Sequence, residues 1–184
     1  MKIGLYFGSF NPIHLGHLMI AQYMVNEAGL DKVLFVVSPQ NPLKENKDLI
    51  PAEMRLKMVE LSIKNNAKFE IETIEFDMPM PSYTIDTLHA LRLKYFNHQI
   101  NIIMGSDSLS NIHTWKNYNE ILGYNILVYK RTLDFINPYP QNENIIFFEN
   151  NILNISATQI RHLLKAKKSV QYMVKDEILS LLEK

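Results

Sequence analysis

Short apolar runs alternate along the chain with stretches whose apolar residues recur every three or four positions. Residues 2 to 7 form one such run, which ends at Gly8, and residues 32 to 38 form another that is rich in β-branched side chains. Short continuous runs of this kind are typical of strands buried on both faces of a parallel sheet. Between them, His14 to Ala28 carries an apolar stripe at helical spacing, and Gly29 follows where a helix would end. The pattern predicts a βαβ unit.

The same alternation continues along the rest of the chain. It predicts further strands at 69–77, 100–104, 125–129 and 145–148, and helices at 52–65, 84–96, 117–122, 156–166 and 174–183. Alternating strands and helices predict an α/β fold with a doubly wound, mostly parallel sheet and helices on both faces. Ligands of such sheets bind beyond the carboxyl ends of the strands, so the turns at Gly8, Ser38 and Gly105 are expected to face one cleft. A length of 184 residues suits one domain.

The segment that joins the first strand to the first helix reads Gly-Ser-Phe-Asn-Pro-Ile-His-Leu-Gly-His. Its two histidines, His14 and His17, share one face at the start of the helix. Helix N-termini offer unpaired N–H groups and partial positive charge, and imidazoles can donate hydrogen bonds to phosphate oxygens. Histidines at this spacing alone are more often a surface pair. The strand, the turn at Gly8 and the helix start around them favour phosphate binding, whereas no third ligand supports a metal site.

Two further segments carry groups that suit a nucleotide. Ser156 begins a capping box, and Thr158 and Arg161 add a hydroxyl and a guanidinium of the kind that binds a triphosphate. Asp107, which follows a predicted strand, could bind a ribose hydroxyl, and Trp115 could stack on a flat ring. Each segment also has an ordinary structural explanation, namely a helix cap with a solvated arginine, and a turn aspartate with a core tryptophan.

Composition excludes several other classes of function. Nineteen basic residues balance nineteen acidic residues, which disfavours general binding of DNA or RNA. The absence of cysteine excludes disulfides, thiolate metal sites and cysteine nucleophiles. The apolar runs are too short for a signal peptide or a membrane span, so a cytoplasmic location without membrane partners is expected.

Together these motifs resemble those of bacterial nicotinate-nucleotide adenylyltransferases, over nearly the whole chain. The element Phe-x-x-x-His-x-Gly-His at residues 10–17 is common to the nucleotidyltransferase superfamily. The segments 81–88, 103–108 with Trp115, and 155–158 with Arg161 are narrower and follow in the expected order. The resemblance implies a Rossmann-like fold of the nucleotidyltransferase type in one domain, residues 1–184, whose helical portion 156–184 completes the ATP site.

The resemblance also implies a role for each matching residue, with His14, His17 and Arg161 as the catalytic groups. The ATP site would contain Gly8, Ser9, Phe10, His14, His17, Ser156, Thr158 and Arg161. The acceptor-nucleotide site would contain Lys44, Thr84, Gly105, Asp107, Trp115 and Arg131. The chain departs from the common pattern at three places. Ser9 and Asn11 stand where many relatives carry threonine and aspartate. Leu43 stands where a histidine often precedes the lysine, and Thr132-Leu133 replaces the usual Pro-Gly after the arginine.

The implied reaction joins the AMP group of ATP to nicotinate mononucleotide by direct in-line attack, giving deamido-NAD and pyrophosphate. Mg²⁺ would arrive on the ATP phosphates, and no dedicated protein metal site is expected. Pantetheine-phosphate adenylyltransferase shares the first motif and is the nearest alternative, and cytidylyltransferases are more distant. An ATP-binding sensor without catalysis is the alternative from another class. A homo-oligomer is compatible with the sequence.

Overall fold

A single parallel sheet organises the structure, a computed structural model that describes residues 1–40, 49–130, 134–149 and 155–182. The strands in this part of the chain are β1 (Lys2–Gly8), β2 (Lys32–Val37), β3 (Phe69–Glu72), β4 (Gln99–Gly105), β5 (Asn125–Tyr129) and β6 (Ile145–Phe148). They lie in the order β3-β2-β1-β4-β5-β6, and each neighbouring pair is parallel. This order confirms the predicted doubly wound sheet, whose strand order reverses between β1 and β4.

Helices cover both faces of this sheet, as predicted. They are α1 (Leu15–Glu27), α2 (Ala52–Ile63), α3 (Thr84–Lys94), α4 (Ser106–Ser110), α5 (Tyr118–Ile121), α6 (Ala157–Lys165) and α7 (Asp176–Leu182), with 3-10 helices at Ile74–Asp77 and Ile112–Thr114. One hydrophobic core contains residues of α1, α2, α6 and α7, and the other contains residues of α3, α4 and α5. Within the described ranges, no helix is long and apolar enough to cross a membrane.

The third strand is shorter than the pattern predicts. The prediction of a strand over 69–77 was wrong beyond Glu72, because Ile74–Asp77 forms a 3-10 helix. The buried Glu72 side chain accepts a hydrogen bond from the Ile74 N–H at 3.1 Å. It also accepts from the Lys94 ammonium and the Tyr95 hydroxyl. A side chain that binds the backbone two residues later competes with the sheet ladder and ends the strand.

The buried face of α2 also differs from the expected one. The spacing predicts one apolar side with Met54, Met58, Leu61 and Asn65, and with Val59 and Ser62 beside it. In the structure the buried residues are Arg55, Met58, Val59, Ser62 and Ile63, while Met54 is 38% exposed. The buried face is therefore centred on Val59 and Ser62 rather than on Met54 and Leu61. This orientation places Arg55 in the interior beneath the carboxyl ends of β1 and β2.

Candidate active site

Two adjacent cavities open at the carboxyl ends of the parallel strands. The larger has a volume of about 580 Å³ and lies beyond β1 and β4, and the smaller has a volume of about 330 Å³. The turns at Gly8, Ser38 and Gly105 all reach this cleft, as predicted. The two cavities have one set of lining residues in common, which we call the shared wall: Phe7, Gly8, Ser9, Asp107, Ser108 and Trp115.

The larger cavity contains the residues that the resemblance assigns to ATP. All eight line it, namely Gly8, Ser9, Phe10, His14, His17, Ser156, Thr158 and Arg161. The N-termini of α1 and α6 both open on this cavity, because their N-cap residues, His14 and Ser156, belong to its lining. Helix N-termini carry partial positive charge, so the arrangement favours an anion between the two helices.

The two histidines of the first motif form a stacked pair. Their ring centroids lie 3.7 Å apart, and the rings are inclined by 28°. The main-chain N–H of His14 donates to Nδ1 of His17 at 3.2 Å. Because an accepting nitrogen carries no proton, this contact leaves the proton of neutral His17 on Nε2, where it can be donated to a phosphate oxygen. A Cβ at Gly16 would lie 3.0 Å from Nδ1 of His14, so glycine admits the His14 ring beside the first helical turn.

The opposite side of the larger cavity is built from the start of α6. Ser156 Oγ accepts from the Gln159 N–H at 3.1 Å, which confirms the predicted N-cap. Arg161 donates from Nη1 to the Asn11 carbonyl at 2.8 Å and from Nη2 to Thr158 Oγ1 at 3.3 Å. Its guanidinium therefore connects α6 to the turn that follows β1. A guanidinium has five N–H donors, so Arg161 can donate to a phosphate oxygen while it keeps these two bonds.

The smaller cavity contains part of the predicted acceptor set. Thr84, Asp107 and Trp115 line it, whereas Gly105 lies on the larger cavity only. Lys44 and Arg131 lie outside the residues that the structure describes. Tyr83, the N-cap of α3, also lines this cavity and makes no side-chain capping bond. The smaller cavity thus combines aromatic rings with the N-terminus of a helix.

Sequence comparisons identify the family to which this chain belongs. A family model described as cytidylyltransferase-like matches residues 5–163. A probable nicotinate-nucleotide adenylyltransferase of Cytophaga hutchinsonii is 45% identical, covering 99% of this chain and 95% of its own length. One from Flavobacterium johnsoniae is 42% identical, covering 97% of this chain and 94% of its own length. The chain belongs to the nicotinate-nucleotide adenylyltransferase family.

Solved structures share the fold of this family member. A Plasmodium falciparum nicotinic acid mononucleotide adenylyltransferase complexed with NaAD superposes with a TM-score of 0.81 at 19% identity, covering 98% of this chain and 95% of that chain. A putative nicotinate-nucleotide adenylyltransferase from Vibrio parahaemolyticus superposes with a TM-score of 0.74, also at 19% identity, with full coverage of both chains. At this identity the superpositions establish the architecture alone.

A buried carboxylate supports the smaller cavity of this adenylyltransferase-family chain, and the sequence reasoning missed it. Glu75 is buried and lines the cavity. It accepts from Ser82 Oγ at 2.5 Å and from Thr87 Oγ1 at 2.9 Å, and Ser82 Oγ lies 3.4 Å from Ser38 Oγ. These bonds connect the 3-10 helix to both the loop before α3 and its first turns. Because the strand was predicted to run to Asp77, Glu75 was not recognised as a buried residue of the site. The sequence does show that two hydroxyl residues, Ser82 and Thr87, follow it.

A buried arginine is the second group that sequence reasoning missed. Arg55 is completely buried, and burial lowers the pKa of its guanidinium to about 10. The guanidinium therefore remains charged at neutral pH. It lies three and four residues before Met58 and Val59, so helical spacing would have placed it on the inward face. Its hydrogen bonds reach the turns after β1 and β2.

Proposed function

We propose that this chain transfers the AMP group of ATP to nicotinate mononucleotide, giving deamido-NAD and pyrophosphate. ATP binds in the larger cavity and the acceptor in the smaller one. The shared wall is the observation that carries this assignment, because a transfer between two nucleotides requires their reacting phosphates to meet. Relatives named as nicotinate-nucleotide adenylyltransferases support the choice of acceptor.

The reaction proceeds in one displacement. An oxygen of the acceptor 5′-phosphate attacks the α-phosphorus of ATP, and a new P–O bond forms as the bond to the bridging oxygen breaks. Pyrophosphate leaves with that oxygen. The nucleophile is already an anion, so the chain needs no general base and no covalent intermediate. His17 donates from Nε2 to a phosphoryl oxygen, with His14 beside it, and Arg161 supports the departing pyrophosphate.

The acceptor is recognised by the aromatic side chains and the helix start of the smaller cavity. Trp115 stacks on the pyridine ring, and the N-terminus of α3 stabilises the carboxylate of nicotinate. Lys116 stabilises the start of α3, since its ammonium binds the Asp86 carboxylate and lies 5.0 Å from the centre of the Tyr83 ring. A neutral carboxamide gains less from a helix N-terminus, so the geometry favours nicotinate over nicotinamide.

The residues around the larger cavity fit a magnesium ion that arrives with ATP. Among the described residues that line it, Asp107 is the only acidic side chain. No group of three or more histidine, aspartate or glutamate side chains that could hold a metal occurs in the described ranges. Mg²⁺ is commonly held by phosphates, waters and one or two carboxylates. Bound in this way, it would neutralise phosphate charge while the chain's own residues orient the nucleotides.

Pyrophosphate release tests the proposal directly. The purified protein is given ATP and Mg²⁺ with nicotinate mononucleotide, nicotinamide mononucleotide or phosphopantetheine in separate reactions. We expect release with nicotinate mononucleotide and at least tenfold lower kcat/KM with the amide. Release with phosphopantetheine alone would overturn the assignment. Binding of ATP without release for any acceptor would indicate a sensor. The cytoplasmic location and a homo-oligomer stay predictions.

A further inference from the structure

The buried Arg55 side chain holds together the turns beneath the cavities. Its Nη1 donates to the Ser9 carbonyl at 2.6 Å and to the Ser38 carbonyl at 2.7 Å. Its Nη2 donates to the Pro39 carbonyl at 2.7 Å, and its Nε to the Ile50 carbonyl at 2.8 Å. The ion pairs found among the described residues do not include this guanidinium. Main-chain oxygens thus stabilise a buried cation, and the cation in turn fixes the directions of those oxygens.

The bond to Ser9 controls one peptide unit in particular. The Ser9–Phe10 peptide is trans, so its C=O and N–H point in opposite directions. Phe10 has φ of 44°, a left-handed conformation that is uncommon for a bulky side chain. Rotation of this peptide by half a turn would return φ of Phe10 to the negative values that such residues prefer. The observed orientation therefore depends on an external contact, and the Arg55 bond to the Ser9 carbonyl supplies it.

The orientation of this peptide matters because it borders the ATP cavity. Ser9 and Phe10 line the larger cavity, whereas Arg55 lies behind them and does not. With the Ser9 carbonyl directed to Arg55, the Phe10 N–H is directed away from it, toward the cavity side. No main-chain acceptor for this N–H occurs within the part of the chain that the structure describes. A half-turn of the peptide would instead present a carbonyl oxygen, which repels phosphate.

We infer that Arg55 is a positioning residue for AMP transfer, which holds the Ser9–Phe10 peptide so that its N–H, and not its carbonyl oxygen, faces the phosphates of ATP. This inference rests on the proposed function of the site. Arg161 holds the same turn from the other side, through the Asn11 carbonyl. The two arginines differ in role, because Arg161 lines the cavity and Arg55 acts only through the backbone.

The Arg55→Lys variant keeps the charge but removes the planar set of donors that reaches four carbonyls. We expect ATP KM to rise at least tenfold and kcat to fall at least tenfold, because the N–H contributes both to binding and to stabilising phosphoryl charge. The KM for nicotinate mononucleotide should rise much less than the ATP KM, because Phe10 lines only the larger cavity, although Arg55 also binds Ser38, which lines the smaller one. Arg92→Lys, at an exposed position on α3, is the matched control and should leave all three constants unchanged. Circular dichroism and melting curves establish that each variant is folded.

A folded Arg55→Lys variant with wild-type kcat and ATP KM would overturn the inference, as would an equal loss for both substrates. If the variant does not fold, nuclear magnetic resonance of the ¹⁵N-labelled wild-type protein tests the same point. Titration with inorganic triphosphate should shift the Phe10 amide signal and slow its hydrogen exchange. An unchanged Phe10 amide, while the His17 signals shift, would also overturn it. Failure of the proposed function would look different, since wild-type protein would then release no pyrophosphate with nicotinate mononucleotide.

Discussion

Replacing Gly105 with alanine should displace Asp107 while leaving the fold in place. Gly105 has φ of −80° and ψ of 158°, a backbone conformation that alanine adopts readily. A Cβ at this position would lie 2.3 Å from Asp107 Oδ1 and 3.1 Å from the Tyr129 hydroxyl oxygen. Because non-bonded carbon and oxygen atoms approach to about 3.3 Å, the Asp107 carboxylate must move by about 1 Å. A hydrogen bond tolerates little of that displacement.

The expected loss follows from the role that the sequence suggests for the Asp107 carboxylate, namely binding a ribose hydroxyl. A hydrogen bond to a charged group contributes about 1.5–3 kcal/mol. Its loss corresponds to a fall in kcat/KM of roughly 10-fold to 100-fold, since about 1.4 kcal/mol is tenfold. The free energy of unfolding should change by only about 1–2 kcal/mol, the usual cost of one added methyl in a packed region.

Steady-state kinetics of single and double variants check this reasoning. Asp107→Ala should lower kcat/KM as much as Gly105→Ala does, and the double variant should lose nothing further, because both changes remove one interaction. Gly123→Ala is the control, since its Cβ would lie 3.2 Å from the Glu120 carbonyl, outside both cavities. Additive losses in the double variant would refute the steric argument, and so would wild-type kcat/KM in Gly105→Ala.

Three further substitutions test other parts of the site. His17→Ala should lower kcat roughly 10²–10³-fold with little change in melting temperature, and near wild-type turnover of the folded variant would contradict its role. Trp115→Ala should raise the acceptor KM by about 10-fold or more through lost stacking, while Trp115→Phe retains most of the affinity; an unchanged acceptor KM in the alanine variant would argue against stacking. Ser156→Ala should cost about 1 kcal/mol by removing the N-cap of α6 and lower the melting temperature by about 2–4 °C, whereas Ser156→Thr should not; calorimetry measures both.

The strands could be predicted because both faces of the sheet are covered. Side chains of β1 pack alternately into the two cores, as Leu5 and Tyr6 do, so the whole run is apolar. The strand-to-helix turns could also be placed, because parallel strands bring their carboxyl ends to one edge of the sheet. The ATP residues that the resemblance implies lie around one cavity at this edge. The sequence pattern could not show that the cleft is divided into two cavities. This division depends on the positions of Phe7 and Trp115, which line both.

Buried charges were the residues that the pattern could not predict. Hydrophobic periodicity treats arginine and glutamate as markers of the surface, so the burial of Arg55 and Glu72 was not predicted. Each is stabilised in the interior by partners distant in the sequence. Arg55 binds carbonyls that follow two different strands, and Glu72 binds Lys94 and Tyr95. Local spacing contains no information about such partners, and tertiary structure alone brings them together.

The shared wall has a consequence for the end of the catalytic cycle. In the proposed reaction each substrate fills one cavity, whereas the dinucleotide product would occupy both. The product would gain contacts from both cavities and lose translational freedom only once. The two halves are tethered, so either half that detaches remains at high effective concentration beside its own cavity. We therefore expect the dinucleotide to leave more slowly than pyrophosphate and to limit turnover. For the same reason, a compound in which a short, uncharged linker joins adenosine to a pyridine carboxylate is a rational starting point for inhibitors.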